Sequence, residues 1–159
     1  MAVQYAKAMG MHVAAVDVHA DKLELAKSLG AEIALNAQST DVAAEMQKLV
    51  NGAHGALVTA VSPKAFEQAF DMLRSRGTMS LVGLPPGKMS LSIFHTVLKR
   101  ITVRGSIVGT RQDLEEALAF AGNGAVASHF SWDKLENIND IFARMEEGKI
   151  DGRIVVNMQ

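Results

Sequence analysis

HVAAVDVHADKLELAKSLGA, residues 12–31, is the stretch from which the fold is read. Its opening, HVAAVDV, is an apolar run broken only near its end by Asp17. A run without polar alternation suits a strand buried on both faces of a parallel sheet. The period then changes. Leu23, Ala26 and Leu29 recur at helical spacing, and Gly30 follows as a C-terminal stop. A strand that runs into a helix is half of the crossover that parallel neighbours need.

The same alternation extends in both directions. Upstream, residues 1–9 carry Val3, Ala6 and Met9 at helical spacing before Gly10. Downstream, the pattern predicts a strand at 33–35 and a helix at 40–50 capped near Ser39 or Asp41. A strand at 56–61 follows, then a helix at 63–74 with Pro63 in its first turn. The next strand, 78–84, is stopped by Pro85, Pro86 and Gly87. Beyond it come a short helix at 93–99, a strand at 101–108 and a helix at 113–121. A loop around Asn123 and Gly124, a helix at 134–147 and a strand at 153–156 complete the chain. Alternating elements of this kind predict an α/β fold, a doubly wound parallel sheet with helices on both faces.

The chain has 159 residues, the size of one domain, and 48% hydrophobic against 21% charged residues predicts a packed core. Its 16 basic and 17 acidic residues are mixed along the chain, so no nucleic-acid footprint and no polybasic membrane patch is expected. Absence of cysteine excludes disulfides, thiolate zinc sites and cysteine nucleophiles. No charged segment leads into a long apolar core, and no apolar run nears the ~20 residues that span a bilayer. A cytoplasmic protein is the expectation.

Asp17 is the first candidate for function. In a dinucleotide fold, an acid closing this strand accepts hydrogen bonds from the adenosine ribose hydroxyls. It stands ~20 residues beyond the start of a glycine-rich turn. Counting back that far from Asp17 passes Met1, so the turn is expected to fall before the first residue. Lys22, one turn into the next helix, is placed to reach the same ribose. An acid here repels the 2′-phosphate of NADP and so favours NAD. The alternative role for Asp17 is a cap on the helix that starts near Asp21.

Five segments then line up in order. AVQYAKAMG at 2–10, VDVHADKLELAKSLGA at 16–31, TAVS at 59–62, LVGLPPG at 81–87 and GSIVGTRQDLEEAL at 105–118 resemble the cofactor domain of bacterial zinc-dependent alcohol dehydrogenases, in the medium-chain dehydrogenase family. The resemblance implies a Rossmann-like doubly wound parallel sheet lacking its first strand and its G-x-G-G-x-G-H turn. It covers 1–159 as a single NAD-binding domain, with the strand near 152–156 assignable to an absent catalytic domain. Strand order 3-2-1-4-5-6 makes the missing strand central. The strands at 12–18 and 56–61 would then face an empty slot, each with an unpaired edge. Loss of the turn also removes backbone donors for a pyrophosphate.

The resemblance implies NAD as cofactor and NAD(H) as partner. It assigns Asp17 and Lys22 to the ribose, and Ala60 and Val61 to the wall of the site. Val82, Gly83 and Leu84 would back the nicotinamide ring, and the backbone of Ser106, Ile107 and Val108 would hold its carboxamide. Arg153 would reach the pyrophosphate. A possible homo-oligomer through the strand from Ile101 to Ser106 is also implied. The family moves hydride between an alcohol or aldehyde and NAD, with zinc as Lewis acid. That zinc belongs to a catalytic domain outside this chain. His12, His19, His54, His95 and His129 lack metal-ligand spacing, so the chain alone is expected to bind no zinc and to be inactive.

Without the resemblance, Ala60, Val61, Val82 and Leu84 read as plain sheet core. Gly83 then simply permits a tight bend, and Arg153 is solvated or paired with a carboxylate. Two other functions compete. One is a stand-alone nucleotide-binding or interaction module that closes its sheet by dimerising. The other is a methyltransferase, which also places an acid after its second strand; the LVGLPPG and GSIVGTR segments argue against it.

Overall fold

A computed structural model describes residues 1–158. The chain forms two compact units, one continuous from Leu35 to Leu114, the other built from Met1–Ala34 together with the chain from Glu115 onward.

The continuous unit holds α3 (Val42–Val50), β3 (Ala53–Val58), α4 (Pro63–Asp71), β4 (Leu73–Leu81), α5 (Ile93–Lys99) and β5 (Thr102–Gly105). Strands β3, β4 and β5 make one sheet in that order, parallel throughout. Helix α4 presents Phe66, Ala69 and Phe70 at i, i+3 and i+4 to the sheet, where Val58, Leu73 and Met79 complete the core. Leu73 and Met79 are 0% exposed. Asp41 caps α3, its Oδ1 accepting the Ala44 N–H at 3.0 Å.

Several boundaries differ from the sequence expectation, each for a local reason. Helix α4 stops at Asp71 instead of residue 74, and β4 starts at Leu73 instead of residue 78. Ala53 pairs with Leu73 but Gly55 with Thr78, so residues 74–77 bulge from the ladder with Arg76 at φ 63°. The carbonyls at this corner find side-chain donors. Gln47 Nε2 donates to Asp71 and Leu73 at 3.2 and 3.3 Å, and Lys99 Nζ to Leu73 at 3.1 Å. Partners so distant in sequence leave no periodic trace.

The same explanation serves the other strand ends. β3 runs 53–58 instead of 56–61, because the Val58 carbonyl accepts the N–H of both Val82 and Gly83 at 3.0 and 2.9 Å and closes the ladder. β4 therefore ends at Leu81, not at 84. β5 is also shorter than 101–108, bounded by Arg100 at φ 54° and followed by Val108 at φ 44°, a conformation no strand tolerates.

The second unit holds α1 (Ala2–Ala8), β1 (Ala14–Asp17), α2 (Ala20–Ser28), β6 (Phe130–Lys134), α7 (Ile138–Glu146) and β7 (Arg153–Asn157). The division between the units falls within β2 (Ile33–Asn36), which pairs with β1, and within α6 (Arg111–Gly122). Tyr5 stacks edge-to-face on Phe120 at 5.7 Å and donates to the Ala117 carbonyl at 3.2 Å. Gln4 and the Ala127 backbone exchange two hydrogen bonds of 2.9 Å. β6 and β7 run parallel, from Phe130 opposite Arg153 to Lys134 opposite Asn157, with α7 as the crossover. The sequence reading missed β6 and began a helix at 134. FSWDK has exposed aromatics and no buried alternation to mark it. A single 3-10 turn, Leu135–Asn137, precedes α7. Among the described residues β1 pairs only with β2, and β3 only with β4.

Glu32 ties this unit together and gives it a pH dependence. Its carboxylate accepts from Lys7 Nζ, from the Val13 N–H at 2.7 Å and from His12 Nδ1 at 3.2 Å. The Lys7 bond first, then the Val13 bond, lower its pKa from 4.5 to about 2. A lowered acid stabilises the fold fully above its unfolded pKa and loses that contribution as pH falls through the folded one. The expected result is an acid limb between pH 4.5 and about 2 that Glu32→Gln flattens in urea-midpoint measurements. Identical limbs for parent and variant would refute the assignment.

Candidate functional site

The C-terminal ends of β3, β4 and β5 lie at one end of their parallel sheet, the end at which open α/β sheets hold ligands. Two backbone contacts shape it. The Ser106 N–H donates to the Leu81 carbonyl at 2.9 Å and carries the chain on from β5. Gly83 passes so close to residue 60 that a Cβ placed on it would stand 2.2 Å from the Ala60 carbonyl oxygen. Only glycine fits there.

A cavity of about 470 Å³ opens at this end, floored by Leu81, Phe66 and Met89 and rimmed by Gly83, Leu84, Lys88, Ser106 and Ile107. Of the residues the sequence singled out, Gly83, Leu84, Ser106 and Ile107 line it, whereas Ala60, Val61, Val82 and Val108 do not. None of these belongs to the sheet core. Val61 is 71% exposed, Leu84 77% and Val108 99%, and Ala60 and Val82 are exposed too. The reading of Ala60, Val61, Val82 and Leu84 as core is therefore wrong, since the ladders stop at Val58 and Leu81 and these side chains leave the packed layer. A cluster of exposed apolar side chains on a rigid frame marks a ligand surface.

Val108 adds a second signal. A β-branched residue at φ 44° is a true outlier, and such strain persists where the surroundings fix it. Here Thr110 and Asp113 anchor the following turn. Asp113 Oδ2 accepts the Thr110 N–H at 2.6 Å and its hydroxyl at 2.8 Å, while the Asp113 N–H donates to Thr110 Oγ1 at 3.2 Å. The Thr110 N–H bond, then the hydroxyl bond, hold the Asp113 carboxyl below its usual range.

Asp17, Lys22 and Arg153 belong to the other unit. Asp17 does not cap α2, whose N-cap is His19. Its Oδ1 instead accepts the N–H of Val18 at 2.7 Å and of His19 at 2.9 Å, which fixes the carboxylate and leaves Oδ2 to an incoming donor. Lys22 Nζ donates to Asp151 Oδ1 and to the Ile150 carbonyl. The exposed Arg153 guanidinium turns back on the Gly152 carbonyl at 2.9 Å, with no carboxylate on it among the described residues. Asp151 went unnoticed in the sequence because it lies 129 positions from Lys22.

Among the described residues no three His, Cys, Asp or Glu side chains converge on a metal position, and no helix is long and apolar enough to cross a membrane. The residues present do not fit zinc.

Comparison with known proteins gives a consistent result. Residues 1–123 match the family model described as zinc-binding dehydrogenase. An alcohol dehydrogenase of Rhizobium meliloti (strain 1021) is 72% identical over 158 residues, which cover 99% of this chain and 46% of that protein. One from Geobacillus stearothermophilus is 51% identical over 99% of this chain and 47% of its own length. The chain thus spans about half the length of the curated relatives it matches. The crystal structure of the alcohol dehydrogenase from the hyperthermophilic archaeon Aeropyrum pernix superposes with a TM-score of 0.89 at 30% identity, over 98% of this chain and 45% of that one.

Proposed function

The chain belongs to the zinc-binding dehydrogenase family, and from that premise we propose that it is the NAD-binding part of an alcohol dehydrogenase. The observation that carries the reading is the exposed apolar rim around Gly83, where the chain leaves β4 toward a cavity of about 470 Å³. Val82, Gly83 and Leu84 back a nicotinamide ring there, and the missing Cβ at Gly83 lets this segment lie against the Ala60 carbonyl. The backbone of Ser106, Ile107 and Val108, strained at Val108, holds the ring's carboxamide with the groups that the Ser106–Leu81 bond leaves over. Ala60 and Val61 extend the apolar wall.

In the second unit Asp17 accepts the adenosine ribose hydroxyls through Oδ2, Lys22 stands one turn further on, and Arg153 supplies a cation for the pyrophosphate. NAD, when bound, exchanges a hydride with an alcohol or aldehyde. No zinc is assigned to this chain, and no residue here is assigned a catalytic role. Residues 1–159 act as one cofactor-binding domain in this reading. β5 has an open edge among the described residues, which supports a homo-oligomer through the strand from Ile101 to Ser106.

Titrating the protein with NADH and following nicotinamide fluorescence tests the proposal. Saturable binding with enhanced, blue-shifted emission is expected; strict linearity to millimolar NADH would rule it out.

A further inference from the structure

We infer that Asp151 is a specificity-determining residue, which holds the Lys22 ammonium and so withholds it from a 2′-phosphate on the adenosine ribose. The inference rests on the NAD-binding reading above. It begins with two contacts. Lys22 Nζ is taken by two acceptors of the same turn, the Asp151 carboxylate and the Ile150 carbonyl. Its side chain is only 21% exposed, so the ammonium is committed to that turn and is not a freely solvated head.

The turn itself is fixed. Gly148 and Gly152 bracket it with φ of 70° and 72°, values that glycine alone adopts without cost. A Cβ on Gly152 would lie 2.1 Å from the His129 carbonyl oxygen, and one on Gly148 would lie 3.5 Å from His19 Nε2. The segment therefore passes tightly against the start of β6, which sets Asp151 beside Lys22.

Charge counting then shows the consequence. In this pair the Asp151 carboxylate cancels the Lys22 ammonium, a net charge of zero. Lys149 is paired with Glu147 at 2.6 Å, and in the NAD reading Arg153 serves the pyrophosphate, so neither is assigned to the 2′ position. A ribose hydroxyl is indifferent to that net charge. A phosphate, carrying about two negative charges, gains no charge-assisted bond from an ammonium already held by a carboxylate. Asp17 alone would leave Lys22 able to bridge to a 2′-phosphate with a charge-assisted hydrogen bond. The long-range pair is what removes that option.

The test compares NADH and NADPH titrations, by fluorescence at low ionic strength, for the parent, Asp151→Asn and Asp151→Glu. Asp151→Asn is expected to improve the NADPH:NADH affinity ratio by about tenfold, a gain that fades as salt screens it. Asp151→Glu, which restores the carboxylate, should keep the parent ratio. A ratio unchanged in Asp151→Asn, or a parallel loss of both cofactors, would assign Asp151 a merely structural role and overturn the inference. No saturable NADH binding by the parent would instead overturn the NAD reading, and the inference with it.

Discussion

Gly83→Ala is expected to destabilise the continuous unit by about 3 kcal/mol, the upper end for overpacking, and to abolish NADH binding. The added Cβ would sit 2.2 Å from the Ala60 oxygen, 3.0 Å from its carbonyl carbon and 3.1 Å from the Thr59 carbonyl carbon. All three are backbone atoms, so no side-chain rotamer relieves the clash. Relief requires the 59–61 segment to move away from β4. That movement would break the two hydrogen bonds from Val82 and Gly83 to Val58 and spread the apolar rim. Urea unfolding and NADH titration on the same variant measure both effects. A midpoint equal to the parent's would show that residues 59–61 give way freely and that the close approach is not structural.

Leu73→Ala is expected to cost as much by the opposite route. Leu73 is fully buried where α4 passes directly into β4, within the cluster of Val58, Phe66, Ala69, Phe70 and Met79. Truncation removes transfer energy and leaves a void, about 3 kcal/mol for a leucine whose surroundings cannot collapse. Collapse is hindered here because the Leu73 carbonyl is held by both Gln47 and Lys99, which pins the backbone beside the void. With a urea dependence of about 1–3 kcal/mol per molar, the midpoint should fall by more than ~1 M. Leu84→Ala, at 77% exposure, is the control and should stay within ~0.5 kcal/mol. Equal losses at the two positions would contradict the burial assignment.

The alternation of apolar runs and helical periods was enough to read the α/β class, because consecutive apolar residues such as Ala14, Ala15 and Val16 lack the polar alternation of a strand with one face in water. The strand ends were not legible. They depend on which carbonyl takes which amide, as at Val58, and no local pattern encodes that choice. β6 escaped notice for a related reason, since Phe130 and Trp132 are exposed and meet each other edge-to-face instead of entering a core.

The candidate site was half legible. The segments around Gly83 and Ser106 stood out through family likeness, and the structure adds the cavity and the strained Val108. Periodicity alone pointed the wrong way for Val61 and Leu84, because apolar residues that serve a ligand look like apolar residues that serve a core. Asp151 was invisible, since an isolated acid in a turn gains meaning only from the lysine it meets in three dimensions.

The two bonds between Gln4 and Ala127 span 123 positions. They make α1 wait for a segment far downstream of it. The unit from Leu35 to Leu114 is continuous and can acquire its core while the chain is still being made. The other unit can do so only later, because its contacts join segments on either side of the continuous one. Its loop-closure entropy makes it the slower to form. During that interval Tyr5 still lacks Phe120 to cover its ring.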